Sequence, residues 1–303
     1  MALELRRDQL EVTSLAEVLA RPQDLLEVET FRVAAYNMHN LFGGAPDVHA
    51  ARPGSPPSGE QLKALAQVIR ELDADVLALE EVQNEIVIKE LFQKRINPKL
   101  EKRLRYTSFL CVPSRDPRGI NVAIVTRFAI TGSLSFHDRE FGSGDKAIRF
   151  SRDLLGAEIH ATPTYRYLHF VTHLKSKMGG EPSAKKRLEE AKEIRKILEK
   201  PQFGGKPFIA QDMVLCGDMN DDPGTSPIKT LKGTAAKKLS DVLAGLDPSW
   251  TYPTHTKYAK TRLDYILASR SLLLEAPTIH RDIKAAKIAS DHYPVSATIR
   301  VRR

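Results

Sequence analysis

The segment Val214-Leu-Cys-Gly-Asp-Met-Asn-Asp-Asp-Pro223 ends an apolar run at a glycine and delivers Asp218 and Asn220 two residues apart. Side chains at that spacing leave a strand on one side, so a carboxylate and an amide stand together at its C-terminal mouth. Such a pair can hold a metal-bound water and a phosphate oxygen together. The same pattern also closes ordinary turns, where Asp and Asn satisfy backbone groups, so its meaning depends on its company.

That company is spread along nearly the whole chain. Phe31-Arg-Val-Ala-Ala-Tyr-Asn37 is an apolar stretch ending in Asn37, and Asp75-Val-Leu-Ala-Leu-Glu-Glu-Val82 carries Glu80 and Glu81. Leu168-His-Phe-Val-Thr-His-Leu-Lys175 brings His173, Arg262-Leu-Asp-Tyr-Ile-Leu-Ala268 brings Asp264 near a strand start, and Ser290-Asp-His-Tyr-Pro-Val295 places Asp291 and His292 before the last strand. Each has an ordinary structural reading: loop caps for Asn37 and Asp264, helix-entry acids for Glu80 and Glu81, a satisfied core imidazole for His173. Their recurrence in one chain is hard to explain as independent accidents.

Such groups need strands to carry them and helices to cover the strands. Leu62, Leu65, Ile69 and Leu72 fall at helical spacing between Glu60 and Asp73. Further helices are predicted over about Glu85 to Arg95 and Ser183 to Leu198, the second with Leu188, Ala191, Ile194, Arg195 and Leu198 as its core stripe. Besides the stretches above, strands are predicted near Tyr106 to Val112, Asn121 to Thr126, Ile130 to Phe136, Leu154 to Ile159, Thr278 to Asp282 and Val295 to Val301. So many strands with few helices suggest two packed sheets with helices outside, rather than one doubly wound sheet. Gly43 to Gly59, rich in Pro, Gly and Ser, reads as a loop overhanging the site, and His137 to Lys146 as a loop that touches substrate or covers an edge. Residues 1–29, with Leu10, Leu15, Val18 and Leu19, read as an N-terminal helical extension, and residues 30–303 as one catalytic domain.

Composition bounds the partner. A chain of 303 residues, 42% hydrophobic and 28% charged, can bury a large core in a single domain. Its net charge of +8 suits a polyanion better than a cation, without separating nucleic acid from an anionic membrane. Cys111 and Cys216 both fall in apolar strands and read as small buried hydrophobes. No apolar run approaches a membrane span, and the N-terminus lacks the apolar core of a secretory signal, so a cytoplasmic protein is the expectation.

Taken as a set, Tyr36-Asn37, Leu79-Glu80-Glu81-Val82, Phe150-Ser-Arg-Asp-Leu154, Thr172-His173-Leu-Lys-Ser176, Gly217-Asp218-Met-Asn220, Leu263-Asp264-Tyr265 and Ser290-Asp291-His292-Tyr-Pro294 resemble the endonuclease/exonuclease/phosphatase superfamily. The resemblance runs from about Phe31 to the C-terminus and is closest to deoxyribonuclease I-like nucleases, with Asp116-Pro-Arg-Gly-Ile-Asn-Val-Ala123 similar to bacterial members. It implies a four-layered α/β sandwich with two packed mixed β-sheets and outer helices, in agreement with the strand count.

The resemblance also implies roles. Glu81 would bind Mg²⁺ or Mn²⁺ together with Asn37 and Asp291, since hard divalent ions prefer oxygen ligands. Asp218 and Asn220 would position the attacking water and a phosphate oxygen. His292, held by Asp264, would act as general base or phosphate donor, and His173 would stabilise the five-coordinate transition state or assist the leaving group. Arg152 would contact a phosphate as a fork-shaped donor, with Arg118, Asn121 and Lys175 as further substrate contacts. Glu80 departs from the family, where many relatives carry Gln.

The expected activity is metal-assisted hydrolysis of a phosphodiester by activated water, in a weakly sequence-selective nuclease acting on DNA or RNA. The alternative is a phosphodiesterase or phosphatase for a phospholipid or small-molecule phosphoester. Cys216 and Asp221 replace the Trp and Arg usual in inositol 5-phosphatase-like members. Glu-Glu-Val-Gln replaces the Gln-Glu-Thr-Lys of members resembling abasic-site endonucleases. Phe136 and Phe141 are too few for the apolar hairpin of a sphingomyelinase-like enzyme. Arg115, Arg118, Arg149, Lys175, Lys177, Lys257, Lys260 and Arg262 flank the motif loops and can follow a phosphate backbone.

Overall fold

The computed structural model describes residues 29–43, 54–142, 147–201, 205–255 and 258–301. The expected N-terminal helix, most of the Gly43–Gly59 loop and Lys257 lie outside these residues.

One sheet has the order β13 (Leu273–Ile279), β14 (Val295–Arg300), β1 (Thr30–Leu41), β2 (Val76–Val82), β4 (Asn121–Thr126) and β3 (Ser108–Cys111). The other runs β11 (Ser240–Asp241), β12 (Asp264–Ala268), β10 (Met213–Asp218), β9 (Arg166–Thr172), β8 (Leu154–His160) and β5 (Ala129–Ser135). Both are mixed. β1 is parallel to β2 and antiparallel to β14, while β10 is parallel to β9 and antiparallel to β12. β1 lies against β10 and β12, so the sheets meet face to face. Central strands covered on both faces read as continuous apolar runs rather than alternations, which is why β4 is buried along its whole length. This is the expected sandwich of two mixed sheets with helices outside.

Helix α1 (Gly59–Leu72) covers the first sheet. It starts where the Ser58 side chain accepts the Gln61 N–H at 3.0 Å, and stops where Asp73 turns left-handed. Arg32 caps it from β1 by donating to Leu72 O at 2.7 Å. Leu65, Ile69 and Leu72 are fully buried, a burial of about 1.5–3 kcal/mol each. Helix α2 (Glu85–Leu91) follows, and its expected continuation to Arg95 widens into a π-helical turn over Phe92–Ile96.

Helix α3 (Gly180–Glu199) covers the second sheet, and its buried face is not the expected apolar stripe alone. Arg187, Glu190, Glu193 and Arg195 are buried on it while Leu188 is only partly covered. Each buried charge is paired or bonded: Arg187 to Asp221 at 2.8 Å, Glu193 to Arg139 at 2.6 Å, Arg195 to Leu231 O at 3.1 Å. Short helices α4 (Ser226–Lys232) and α5 (Ala286–Ala289) complete the layers.

Two predicted elements shift. The strand expected over Thr278 to Asp282 is β13, which begins at Leu273 and ends at Ile279. A bulge between Glu275 and Thr278, with Ala276 at φ 49°, breaks the alternation, and Pro277 is tolerated because β13 is an edge strand. Within the loop expected after His137, β6 (Glu140–Phe141) pairs with β7 (Ile148–Arg149), and Phe141 buries itself against Phe150 at 4.7 Å between centroids. Cys111 and Cys216 are buried, as expected.

Candidate active site

Asp218 ends β10, where Gly217 has φ 137° and a Cβ would lie 1.9 Å from Thr172 O. Only glycine lets β10 approach β9 that closely before it delivers the carboxylate. The next two residues turn back: Asp218 Oδ1 accepts the Asn220 N–H at 2.8 Å, and Asn220 donates from Nδ2 to Leu174 O at 3.0 Å. Asn220 is held at φ 50°. His39, Asn40 and Glu81 are also non-glycine residues at positive φ, and backbone strain of this kind concentrates where a site requires it.

Three side chains converge on Asp218 Oδ2. Asn37 of β1 donates to it from Nδ2 at 3.2 Å. His173, just past β9, places Nε2 at 3.4 Å, and His292, before β14, places Nε2 at 3.8 Å. His292 is oriented from behind by Asp264 at the start of β12, with Nδ1 2.9 Å from Oδ2. Asp264 is itself fixed, since Thr251 Oγ1 accepts its N–H at 3.2 Å. Ser290 closes the ring by accepting the His292 N–H at 3.0 Å and donating to Asn37 O at 2.7 Å.

Burial and charge set the protonation states. Burial pushes the Asp218 carboxyl up to about 7, against the opposing pull of His292. Burial alone would lower His292, but the Asp264 and Asp218 carboxylates outweigh it and hold the imidazole well above its usual value. His173 is driven well below by burial and by the positive charges of Arg152 and His292. One imidazole is thereby charged and the other neutral on either side of the same carboxyl.

The remaining predicted residues surround this cluster with different attachments. Glu81 accepts the Asn40 N–H at 3.1 Å and lies 4.0 Å from Arg118 Nη2. Asp291 lies 4.0 Å from His39 Nε2. Arg152 is buried, donating to Leu174 O at 3.2 Å, with Nε 3.0 Å from Asp116 Oδ2. Lys175 borders the site on the His173 loop, and its backbone N–H bonds Glu190 at 2.7 Å. Asn121 is turned inward: it donates to Gln83 O and accepts the Ser114 N–H at 2.6 Å, so its amide ties the Ser114–Ile120 loop to β2.

Sequence reasoning missed three supports. Glu190 on α3 accepts the N–H groups of Ser151 and Lys175, both at 2.7 Å, clamping the loops that carry Arg152 and His173. Its helical position on the buried stripe is the only signal in the sequence. Thr251 carries no pattern of its own, and Ser290 opens the Ser-Asp-His-Tyr-Pro run but was given no role there. Glu80 received no role either, yet it is 0% exposed and both its carboxyl oxygens lack hydrogen-bond partners among the described residues. Burial, with Asp264 and Asp218 nearby, raises its pKa well above the usual carboxylate value.

Comparison with known proteins agrees with this geometry. The model of the Endonuclease/Exonuclease/phosphatase family matches residues 34–292. No curated protein matches the chain. Among solved structures, an endonuclease/exonuclease/phosphatase family protein from Leptotrichia buccalis is 20% identical with a TM-score of 0.63, covering 89% of this chain and 100% of that one. The human nocturnin catalytic domain with bound sulfate is 18% identical, TM-score 0.58, with 89% and 94% covered. The Bacteroides thetaiotaomicron mannosyl-6-phosphatase is 18% identical, TM-score 0.61, with 89% and 99% covered. At such identities the solved structures establish the shared fold; the family model spans the strands that bear Asn37, Glu81, His173, Asp218 and Asp264, and reaches His292. The chain belongs to the endonuclease/exonuclease/phosphatase family.

Proposed function

We propose that this protein is a divalent-metal-dependent phosphodiesterase that hydrolyses nucleic acid, DNA foremost, by direct attack of water. The observation that carries the reading is the chain Asp264–His292–Asp218–His173, in which one carboxyl lies between two imidazoles, one of them backed by a second carboxylate. Asp218 orients the attacking water and accepts its proton. His292, protonated and held by Asp264, donates to a phosphate oxygen; of the two roles read for it, its charge favours donor over base. His173 and the Asn220 amide hold further phosphoryl oxygens as charge develops. Arg152 and Asp116 brace the wall behind His173, and Lys175 and Arg118 supply positive charge along the backbone of the substrate.

Among the described residues, no three His, Cys, Asp or Glu side chains form a metal-binding group. A hard ion of the Mg²⁺ type is held by one or two carboxylates and otherwise by water and substrate phosphate. The donors at hand are all oxygens: Glu81 and Asp291, with the Asn37 Oδ1 that also accepts the His39 N–H at 2.9 Å. A divalent ion there would neutralise charge on the phosphoryl oxygens during displacement.

The net charge of +8 supports a polyanionic substrate, and the buried positions of Phe136 and Phe141 argue against lipid docking. The likeness in fold to a mannosyl-6-phosphatase supports the second reading, a small phosphate ester. A panel of supercoiled plasmid, linear duplex, single-stranded DNA, RNA and a hexose 6-phosphate, each with Mg²⁺ or Mn²⁺, separates the two. Faster turnover of any nucleic acid supports the proposal. Turnover of the sugar phosphate alone supports the second reading.

A further inference from the structure

Beside His292 stands a series of aromatic rings that the hydrolytic cluster does not use. Tyr252 packs on His292 with centroids 5.0 Å apart and planes tilted by 50°. Tyr258 lies nearly parallel to Tyr252, at 6.1 Å and 17°, and His255 flanks Tyr258 at 5.8 Å. Tyr258 is 51% exposed, in a molecule that buries most of its other rings. On the same loop, Lys260 holds its ammonium 4.6 Å from the centre of the Trp250 ring and is itself exposed. The rings therefore step outward from the reacting centre to solvent: His292, Tyr252, Tyr258.

We propose that Tyr258, backed by Tyr252, is a stacking subsite for an unpaired base of single-stranded nucleic acid, on a nucleotide adjoining the scissile phosphate. This rests on the nuclease reading and narrows it from nucleic acid in general to strands whose bases are free. A half-exposed tyrosine beside a second, nearly parallel ring matches the aromatic groups on which bases stack. Lys260, two residues further along the same loop and exposed, adds a cation for the sugar-phosphate backbone. Within a duplex the faces of each base are already covered by its neighbours, so this surface can be used only by a base outside a helix. A hexose or an alkyl ester offers no aromatic face to fill it.

The test measures binding without turnover, in wild-type protein with EDTA and in an Asp218→Asn background. The probes are a single-stranded oligonucleotide carrying 2-aminopurine, the same strand with an abasic site in its place, and the matching duplex. Stacking predicts quenched 2-aminopurine fluorescence and tighter binding of the single strand than of the other two. Tyr258→Ala should weaken single-strand binding roughly 5- to 150-fold, the equivalent of one stacked base, while Tyr258→Phe should retain it. Equal binding of single strand and duplex, no binding of the single strand, or wild-type binding by Tyr258→Ala would overturn the proposal. Its failure is distinguishable from that of the nuclease reading. Cleavage of nucleic acid with unchanged KM in Tyr258→Ala would remove the stacking subsite alone. Quenching without cleavage of any nucleic acid would remove the nuclease reading alone.

Discussion

Asp218 Oδ2 is where three side chains from distant parts of the chain meet, and the proposed chemistry depends on keeping their charges unequal. Asp264 does this from behind, because its carboxylate fixes which face of His292 points at Asp218 and keeps that imidazole protonated. An Asp264→Asn variant should fold and bind metal yet lose roughly 10²- to 10⁴-fold in kcat, the usual worth of a positioned acid–base group. Steady-state kinetics beside a circular dichroism spectrum would check it; a near-normal kcat would remove His292 from the mechanism. At this scale the sequence is most legible, since His173, Asp218, Asn220, Asp264 and His292 were read at strand ends and stand there, while Asn37, read as a strand end, lies inside β1, which runs on to Leu41. The residues that tune them are silent. Thr251 and Glu190 look like any loop or helix residue until folding brings them against partners far away in sequence, and Asn121 shows the converse, an amide in a suggestive motif that is spent on holding a loop.

Strand geometry decides whether those residues can meet. β10 comes so close to β9 at Gly217 that a Cβ would collide with the Thr172 carbonyl. Gly217→Ala should therefore destabilise the fold by about 1–3 kcal/mol or more and displace Asp218, so that urea denaturation and turnover both suffer; a variant of wild-type stability would show that the strands can separate there. β9 also carries His169, whose pKa burial lowers to about 3. Its unfolded value is about 6.5, so the unfolded chain binds the proton first. The stability it contributes is present above that value and is lost as pH falls toward 3. His169→Leu should flatten this acid limb by about 1.4 kcal/mol per pH unit. Parallel stability profiles in urea from pH 6.5 down would contradict that sign. The strands and long helices were readable from apolar runs and helical spacing, whereas β13 was misplaced because a bulge and Pro277 interrupt its alternation. Of the charged face of α3 only Arg195 was read on the core stripe; Arg187, Glu190 and Glu193 were hidden because buried ion pairs imitate an exposed surface in sequence.

At the scale of the whole molecule, two mixed sheets bring together strand ends from opposite halves of the chain, and the chain as a whole carries a net charge of +8. Binding of a single-stranded oligonucleotide should weaken with salt, and Lys175→Ala should make the slope of log affinity against log salt shallower by about 0.7, one phosphate contact on a single strand. An unchanged slope would place Lys175 away from the backbone of the substrate. Family membership makes a phosphoester hydrolase of this chain, and the cluster around Asp218 is the claim specific to it. The most direct measurement is single-turnover cleavage of an end-labelled oligonucleotide by wild-type and Asp218→Asn protein, each with Mn²⁺ or with EDTA. The account predicts products only from wild-type protein with metal; cleavage that survives EDTA, or a folded Asp218→Asn variant cutting at the wild-type rate, would contradict it.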